Sequence, residues 1–299
     1  MMSSPLVAIV ILTCNQKKLT LDCLSSLLKC QYEHKQIILV DNGSEDGVQN
    51  EVIQKFPHVL VLRNEENIGA AGGRNTAIEY ALKYLDFKYI LFMDNDIVVM
   101  PDFLNKLVGG LESCEDPSVE IASPLLYQMG TDKIIDSAGG PKLNFYTGST
   151  QTRGHGEVDA GQYKNERFPN CVPTTTVLMH RKALERVGRF DVSFDPYGYE
   201  DIDMVLRANP GMAPFLFVPD AVVYHLGSKT GFSGYTADYT RMKGKNMRMF
   251  FKRHSSGFQW FCFNLFLPFL SVKTIVRELR RGNVKAILGL VKGFLGATK

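Results

Sequence analysis

YILFMDNDIVV, residues 89–99, decides the fold. Its first five residues, Tyr89 to Met93, are apolar without interruption, the pattern of a strand covered on both faces. The run stops at Asp94-Asn95-Asp96. Side chains two apart at a strand end share one side, so Asp94 and Asp96 would present two carboxylates together. Hard divalent cations such as Mg²⁺ take carboxylate oxygens along with substrate phosphates, and the pair suits a metal–diphosphate site. The plainer alternative is a solvated turn. Asp-x-Asp recurs at Asp201/Asp203, so position rather than the bare pattern carries the reading.

Upstream, Leu6–Leu12 and Gln36–Val40 are further apolar runs, and Val59–Leu62 is another. Helical spacing is found over 17–29, roughly 46–55, and 71–85, where Ala77, Ala81, Leu82 and Leu85 share a face. Strands alternating with helices of this length make a mostly parallel sheet flanked by helices on both faces, an α/β fold. Such sheets bind ligands beyond the carboxyl ends of their strands. Polar residues gather at three of those ends: Thr13 and Asn15, Asp41 to Ser44, and Asp94 to Asp96.

Downstream, periodicity fades over about 127–170, which reads as a functional loop or lid. Order resumes with a strand at Thr174–Met179, a helix near 181–187, a helix opening at Glu200-Asp201, and strand character over Phe215–Tyr224 ending at His225. Acidic residues at a helix start suit the macrodipole, and they also suit a general base beside an acceptor. A strand-end histidine is a structural residue or an imidazole metal ligand. Gly69, Gly72, Gly73, Arg74 and Asn75 open a helix and fit an anionic or base-bearing ligand. GxxxxGK[ST] is absent, and no strand precedes a GxGxxG, so the P-loop and the dinucleotide fingerprint are unsupported.

Composition narrows the class. The chain has 299 residues, 45% hydrophobic and 22% charged, enough for a sizeable core and far from a disordered or collagen-like profile. A net charge of +3 gives no case for nucleic acid. Six dispersed cysteines without a CxxC pair read as free thiols in a reducing compartment. MMSSPLVAIVILTCNQ lacks a basic leader and a cleavage site, so it reads as a first strand and not as a signal peptide.

These pieces in this order, VAIVILTCN, ILVDNGSEDG, NIGAAGGRNTA, YILFMDNDIVV, GRFDVSFDPYGYEDIDMVLRA and VPDAVVYHLGS, resemble the family 2 glycosyltransferases of GT-A fold over roughly residues 5–250. IIDSAGG, GHGEVDAGQY and the histidine after VVY are similar to the bacterial rhamnosyltransferase-like branch that decorates cell-surface polysaccharides. The resemblance implies a GT-A, Rossmann-like sheet and inverting transfer from a nucleoside-diphosphate sugar, UDP- or dTDP-linked, to a hydroxyl of a glycan or lipid-linked acceptor. It implies that Thr13, Asn15, Asp41, Asn67, Gly73, Arg74, Asp94 and Asn95 bind the nucleotide-sugar. Asp96 and His225 would hold Mg²⁺ or Mn²⁺, Asp201 would take the acceptor proton, and Glu200 would orient acceptor or neighbouring groups. CVPTTTVLMHR departs from the family in carrying three threonines where relatives have small residues. A non-catalytic nucleotide-sugar or carbohydrate-binding module of the same fold is the main rival reading. A sugar-1-phosphate nucleotidyltransferase would need a Gly-rich loop after the first strand, which ILTCNQKK does not supply.

Domain boundaries fall at 1–250 for the catalytic domain and 251–299 for a helical tail. The tail holds nine Lys or Arg against one Glu, so the 250 residues before it are net acidic. Phe258–Val272 is aromatic and uncharged, but at about 15 residues, with Pro268 breaking it, it is short of a bilayer span. Apolar residues beyond it fall at helical spacing between basic ones. Amphipathic helices of this kind lie in a membrane interface, here the inner face of the cell membrane for a cytoplasmic enzyme. A homodimer contact is the alternative use.

Overall fold

The computed structural model describes residues 4–209, 214–227 and 236–296. Two compact units divide the chain: residues through Pro141 with Thr152–Gly227, and Lys142–Gln151 with the chain beyond Gly227. Residue 250 therefore lies within the second unit, inside a helix, and the division falls at Gly227.

In the first unit, β1 (Val7–Thr13), α1 (Lys17–Leu28), β2 (Lys35–Asn42), α2 (Val48–Lys55), β3 (Leu60–Asn64), α3 (Gly69–Tyr84) and β4 (Tyr89–Asp94) alternate as the sequence indicates. Then come β5 (Ile97–Val99), α4 (Phe103–Glu112), β6 (Ile121–Gln128) and β7 (Ile135–Ala138). After the hairpin of β8 (Pro141–Leu143) and β9 (Thr150–Thr152) follow β10 (Thr176–His180), α5 (Arg181–Val187), α6 (Glu200–Ala208) and β11 (Leu216–His225). Among the described residues the main sheet has nine strands, ordered β3-β2-β1-β4-β10-β6-β11-β5 with β7 beside β6. It is parallel from β3 to β4. β10 enters antiparallel, and β6 and β11 form a second parallel pair. β1 is buried from Val7 to Ile11, with Ile37–Val40 of β2 and Tyr89–Met93 of β4 buried beside it, which is why uninterrupted apolar runs mark these strands.

Register positions the polar strand ends. Thr13 lies opposite Asp41, and Leu12 opposite Asp94. The chain turns at Asn95 and Asp96 into β5, which runs antiparallel to the end of β11 and sets Ile97 opposite His225. A histidine 129 residues downstream is thereby fixed beside the Asp-Asn-Asp turn, and Leu226 N–H donates to the Asp96 carbonyl at 3.1 Å.

In the second unit, α7 (Ala237–His254), α8 (Gly257–Arg280) and α9 (Val284–Gly296) pack with segment 142–151. Phe145 meets Phe250 and Phe251, and Phe251 stacks on Phe263 with centroids 4.7 Å apart. Part of the stretch read as a loop or lid is thus an anchored hairpin. α7 and α9 touch backbone to backbone: a Cβ on Gly289 would come within 2.1 Å of the Ala237 carbonyl oxygen, and one on Gly293 within 2.0 Å of the Arg241 carbonyl oxygen. α8 corrects the reading of Pro268. The helix runs 24 residues straight through it, started by a capping box of Ser256 and Gln259, and is long and apolar enough by length and composition to cross a membrane. Burial of Phe263 and Leu267 before the proline, and of Ser271 and Glu278 after it, holds the helix against a break costing about 3 kcal/mol.

Candidate active site

The nucleotide-side residues fall into two groups. Asp41 is fully buried; its Oδ1 accepts from Ser44 N–H at 2.9 Å, and its Oδ2 accepts from Arg63 on β3. Asn15, in the left-handed region at φ 53°, ties this turn to the end of β1. Its N–H donates to Ser44 Oγ at 3.0 Å, and its Oδ1 accepts from Glu45 N–H at 2.8 Å. Asn67 Oδ1 accepts from Asn42 Nδ2 at 2.9 Å and from Gly69 N–H at 3.0 Å. These residues make a rigid rim at the ends of β1, β2 and β3.

Thr13 and Asn95 are placed differently. Both are buried, and Asn95 Nδ2 donates to Thr13 Oγ1 at 3.3 Å and to Thr20 Oγ1 at 3.1 Å, while the two threonine hydroxyls lie 2.8 Å apart. Their side chains satisfy one another in a polar knot that locks the Asp-Asn-Asp turn to β1 and α1. Gly73 is also buried: a Cβ there would come within 2.5 Å of Leu12 Cδ1, so glycine lets α3 lie against β1.

Asp94, Asp96 and His225 converge, each offering a ligand atom within 4.8 Å of the others. His225 Nε2 faces Asp96 Oδ2 at 3.4 Å, while Nδ1 meets Asp136 Oδ2 on β7 at 2.7 Å. Burial pushes the imidazole pKa down, but the hydrogen bonds and charges of Asp136 and Asp96 outweigh it and carry it to about 10. Two carboxylates around one imidazole thus demand positive charge at this spot. An oxygen-rich set with one nitrogen is also the donor chemistry that Mg²⁺ and Mn²⁺ accept, so the residues fit a divalent ion.

Arg74, nearly buried on α3, bridges this cluster to α6. It donates to Asp94 Oδ1 at 2.9 Å and to Glu200 Oε1 at 3.0 Å, over the face of Phe190. Glu200 also accepts from Gly198 N–H, which shapes the tight entry to α6 with Tyr199 at φ 74°. Burial, with the Glu200 charge, raises Asp201 to about 7. Asp201 and Arg74 line a pocket otherwise walled by Phe92, Met93, Phe190 and Met204 among its neighbours. Asp203 of the second Asp-x-Asp points away: it is fully buried and pairs with Arg207 at 2.7 Å, a structural ion pair.

Four residues escape the sequence reading. Arg63 neutralises Asp41, and Asn42 links Asn64, Asn67 and Gly69. Asp136 orients His225. Asp195 accepts from Ala71 N–H at 2.8 Å and Gly72 N–H at 3.2 Å at the start of α3, in the space a Cβ on Gly69 would fill. Asn42 and Asp136 lie inside segments already singled out, ILVDNGSEDG and IIDSAGG. Asp195 lies inside another, GRFDVSFDPYGYEDIDMVLRA, without being distinguished there, and Arg63 carries no pattern of its own.

A glycosyltransferase assigned to teichuronic acid biosynthesis in Bacillus subtilis (strain 168), TuaG, is 36% identical over 107 residues, 34% of this chain and 40% of the relative. The Escherichia coli UDP-Glc:alpha-D-GlcNAc-diphosphoundecaprenol beta-1,3-glucosyltransferase WfgD is 33% identical over 96 residues, 32% of this chain and 36% of the relative. The chain therefore matches well under half the length of these curated relatives. The mannosyltransferase PcManGT from Pyrobaculum calidifontis, solved with GDP-Man and Mn²⁺, superposes with a TM-score of 0.57 at 15% identity, covering 99% of this chain and 88% of its own, which establishes a shared GT-A fold. The sequence profile of Glycosyl transferase family 2 matches residues 8–187, from β1 through α5 and including the Asp94–Asp96 turn, and the chain belongs to that family.

Proposed function

We propose that the chain is a metal-dependent, inverting glycosyltransferase that moves a sugar from a nucleoside-diphosphate sugar to a hydroxyl of a glycan or lipid-linked acceptor in cell-surface polysaccharide synthesis. The observation that carries the reading is the convergence of Asp94, Asp96 and His225 beside the Arg74–Glu200 bridge that leads to Asp201. Asp96 and His225 would hold Mg²⁺ or Mn²⁺, which when bound neutralises charge developing on the leaving diphosphate. Asp41 and Arg63, with Asn15 and Asn67, form the rim for the nucleoside; Asp94 faces the ribose or sugar. Asp201 takes the acceptor proton as that oxygen attacks the anomeric carbon and the nucleoside diphosphate departs with the bonding electrons. A carboxyl near pH 7 is well matched to that transfer at neutral pH. Glu200, held by Arg74, keeps α6 in place under it.

The donor reading rests on family membership and on relatives that use UDP-Glc or bind GDP-Man. The rhamnosyltransferase-like resemblance adds dTDP-linked deoxyhexoses. A panel of UDP-, dTDP- and GDP-sugars, assayed for Mn²⁺-dependent release of nucleoside diphosphate, tests it. Release from a UDP- or dTDP-sugar that vanishes in Asp96→Ala is expected. Binding without release from any donor would instead mark a non-catalytic module.

The tail is read as a membrane-surface anchor on the cytoplasmic face. On α8, Phe258, Phe261, Leu265, Phe269, Val272, Val276 and Leu279 form one exposed stripe, with Phe261 65% and Phe269 72% exposed. The opposite face packs through Phe263, Leu267 and Ser271. One-sided exposure suits a helix lying in the interface. Phe261→Glu with Phe269→Glu should abolish liposome flotation; unchanged flotation would count against the anchor.

A further inference from the structure

α8 is divided along its length. From Gly257 to Val272 it carries no charge, while its last turns and the connection to α9 carry Arg277, Arg280 and Arg281. With Lys243 of α7 these three arginines line a groove of about 810 Å³ whose remaining walls are Val272, Thr274 and Val276. The basic groups are held in position. Glu278, fully buried, accepts from Arg277 Nε at 2.8 Å and Asn283 Nδ2 at 2.8 Å, and lies 3.7 Å from Arg281 Nη1. One internal carboxylate therefore fixes two guanidinium groups at the helix end, against four basic side chains lining the groove. Val272 and Val276, which line it, also belong to the exposed apolar stripe.

We propose that this groove is a phosphate-binding site for the headgroup of an anionic phospholipid at a membrane surface. Guanidinium groups suit phosphate through paired N–H donors, and the valines continue the site toward acyl chains. Charge complementarity selects an anionic occupant, and a symmetric contact with a second copy of this chain would set another basic groove against this one. The proposal rests on the membrane reading of the tail but is narrower, because it assigns the phosphate contacts to particular residues rather than to overall charge.

The test uses the full chain and vesicles of phosphatidylcholine, alone or with phosphatidylglycerol or phosphatidic acid, set to equal surface charge. Arg280→Gln with Arg281→Gln is compared with Lys285→Gln with Lys292→Gln, which removes the same charge from the exposed side of α9; circular dichroism confirms that both fold. The groove pair should weaken binding to anionic vesicles about tenfold more than the α9 pair does. Phosphatidic acid, with its more highly charged terminal phosphate, should be preferred by the unaltered chain and not by the groove variant. Equal losses from the two pairs overturn the groove and leave the membrane reading standing. Unaltered chain that binds no vesicle, or that self-associates instead, overturns both.

Discussion

Asp201 and Glu200 are adjacent, yet their surroundings separate them: Glu200 is paired with Arg74, whereas burial and the Glu200 charge hold Asp201 up at about 7. Transfer should therefore rise with pH as Asp201 loses its proton, half-complete near 7, and Asp201→Asn should abolish it while nucleoside-diphosphate binding survives. The same shift has a cost. A carboxyl raised from 3.8 keeps its proton longer in the folded chain than in the unfolded one, so its contribution is neutral below about pH 4, grows more unfavourable from there to about 7 and levels off above. Asp201→Asn should raise stability at pH 8 by about 1–3 kcal/mol, less than the ~4 that three undamped pH units would give. Thermal melts at pH 5 and 8 check it; a variant no more stable at pH 8 than the parent would refute the burial argument. Asp136 works through His225. Asp136→Ala should weaken Mn²⁺ binding about 10- to 100-fold in calorimetric titration, with Asp136→Asn recovering part of the loss; an unchanged affinity would show that His225 needs no support. Asp94, Asp96 and His225 were legible because each ends a strand or turn. Asp136 was not, since the register that sets β7 across β6 from β11 leaves no trace in local sequence.

At the scale of elements, legibility follows burial. β1, β2 and β4 are covered on both faces and read directly as apolar runs. β6 is equally buried but contains Ser123 and Pro124, which break the run, and its parallel pairing with β11 shifts register between Val218 and Val222. α8 shows the reverse error: proline chemistry was read correctly, but packing on both sides of Pro268 prevails. α3 carries a prediction of its own. Two N–H groups of its first turn, Ala71 and Gly72, are satisfied by Asp195, 123 residues or more away, while Asn67 serves only Gly69 N–H. Asp195→Ala should cost about 1–2 kcal/mol in denaturant unfolding, because those donors and the helix dipole lose their carboxylate. A midpoint unchanged from the parent would mean that water replaces it fully.

At the scale of the molecule, the modest net charge conceals a split between an acidic domain with an Asp-Asp-His cluster and a basic tail. That split is visible in composition; the division of the chain at Gly227, and the recruitment of 142–151 into the second unit, are not, because both depend on contacts far apart in sequence. The close approach of α7 and α9 has a genetic consequence. Most exposed apolar positions of the tail can exchange one hydrophobic residue for another with little effect. Gly244, Gly289 and Gly293 face backbone of the neighbouring helix, where even one methyl group has no room. A saturation-mutagenesis map of the tail should therefore show broad tolerance interrupted at three columns, with alanine already selected against at 289 and 293.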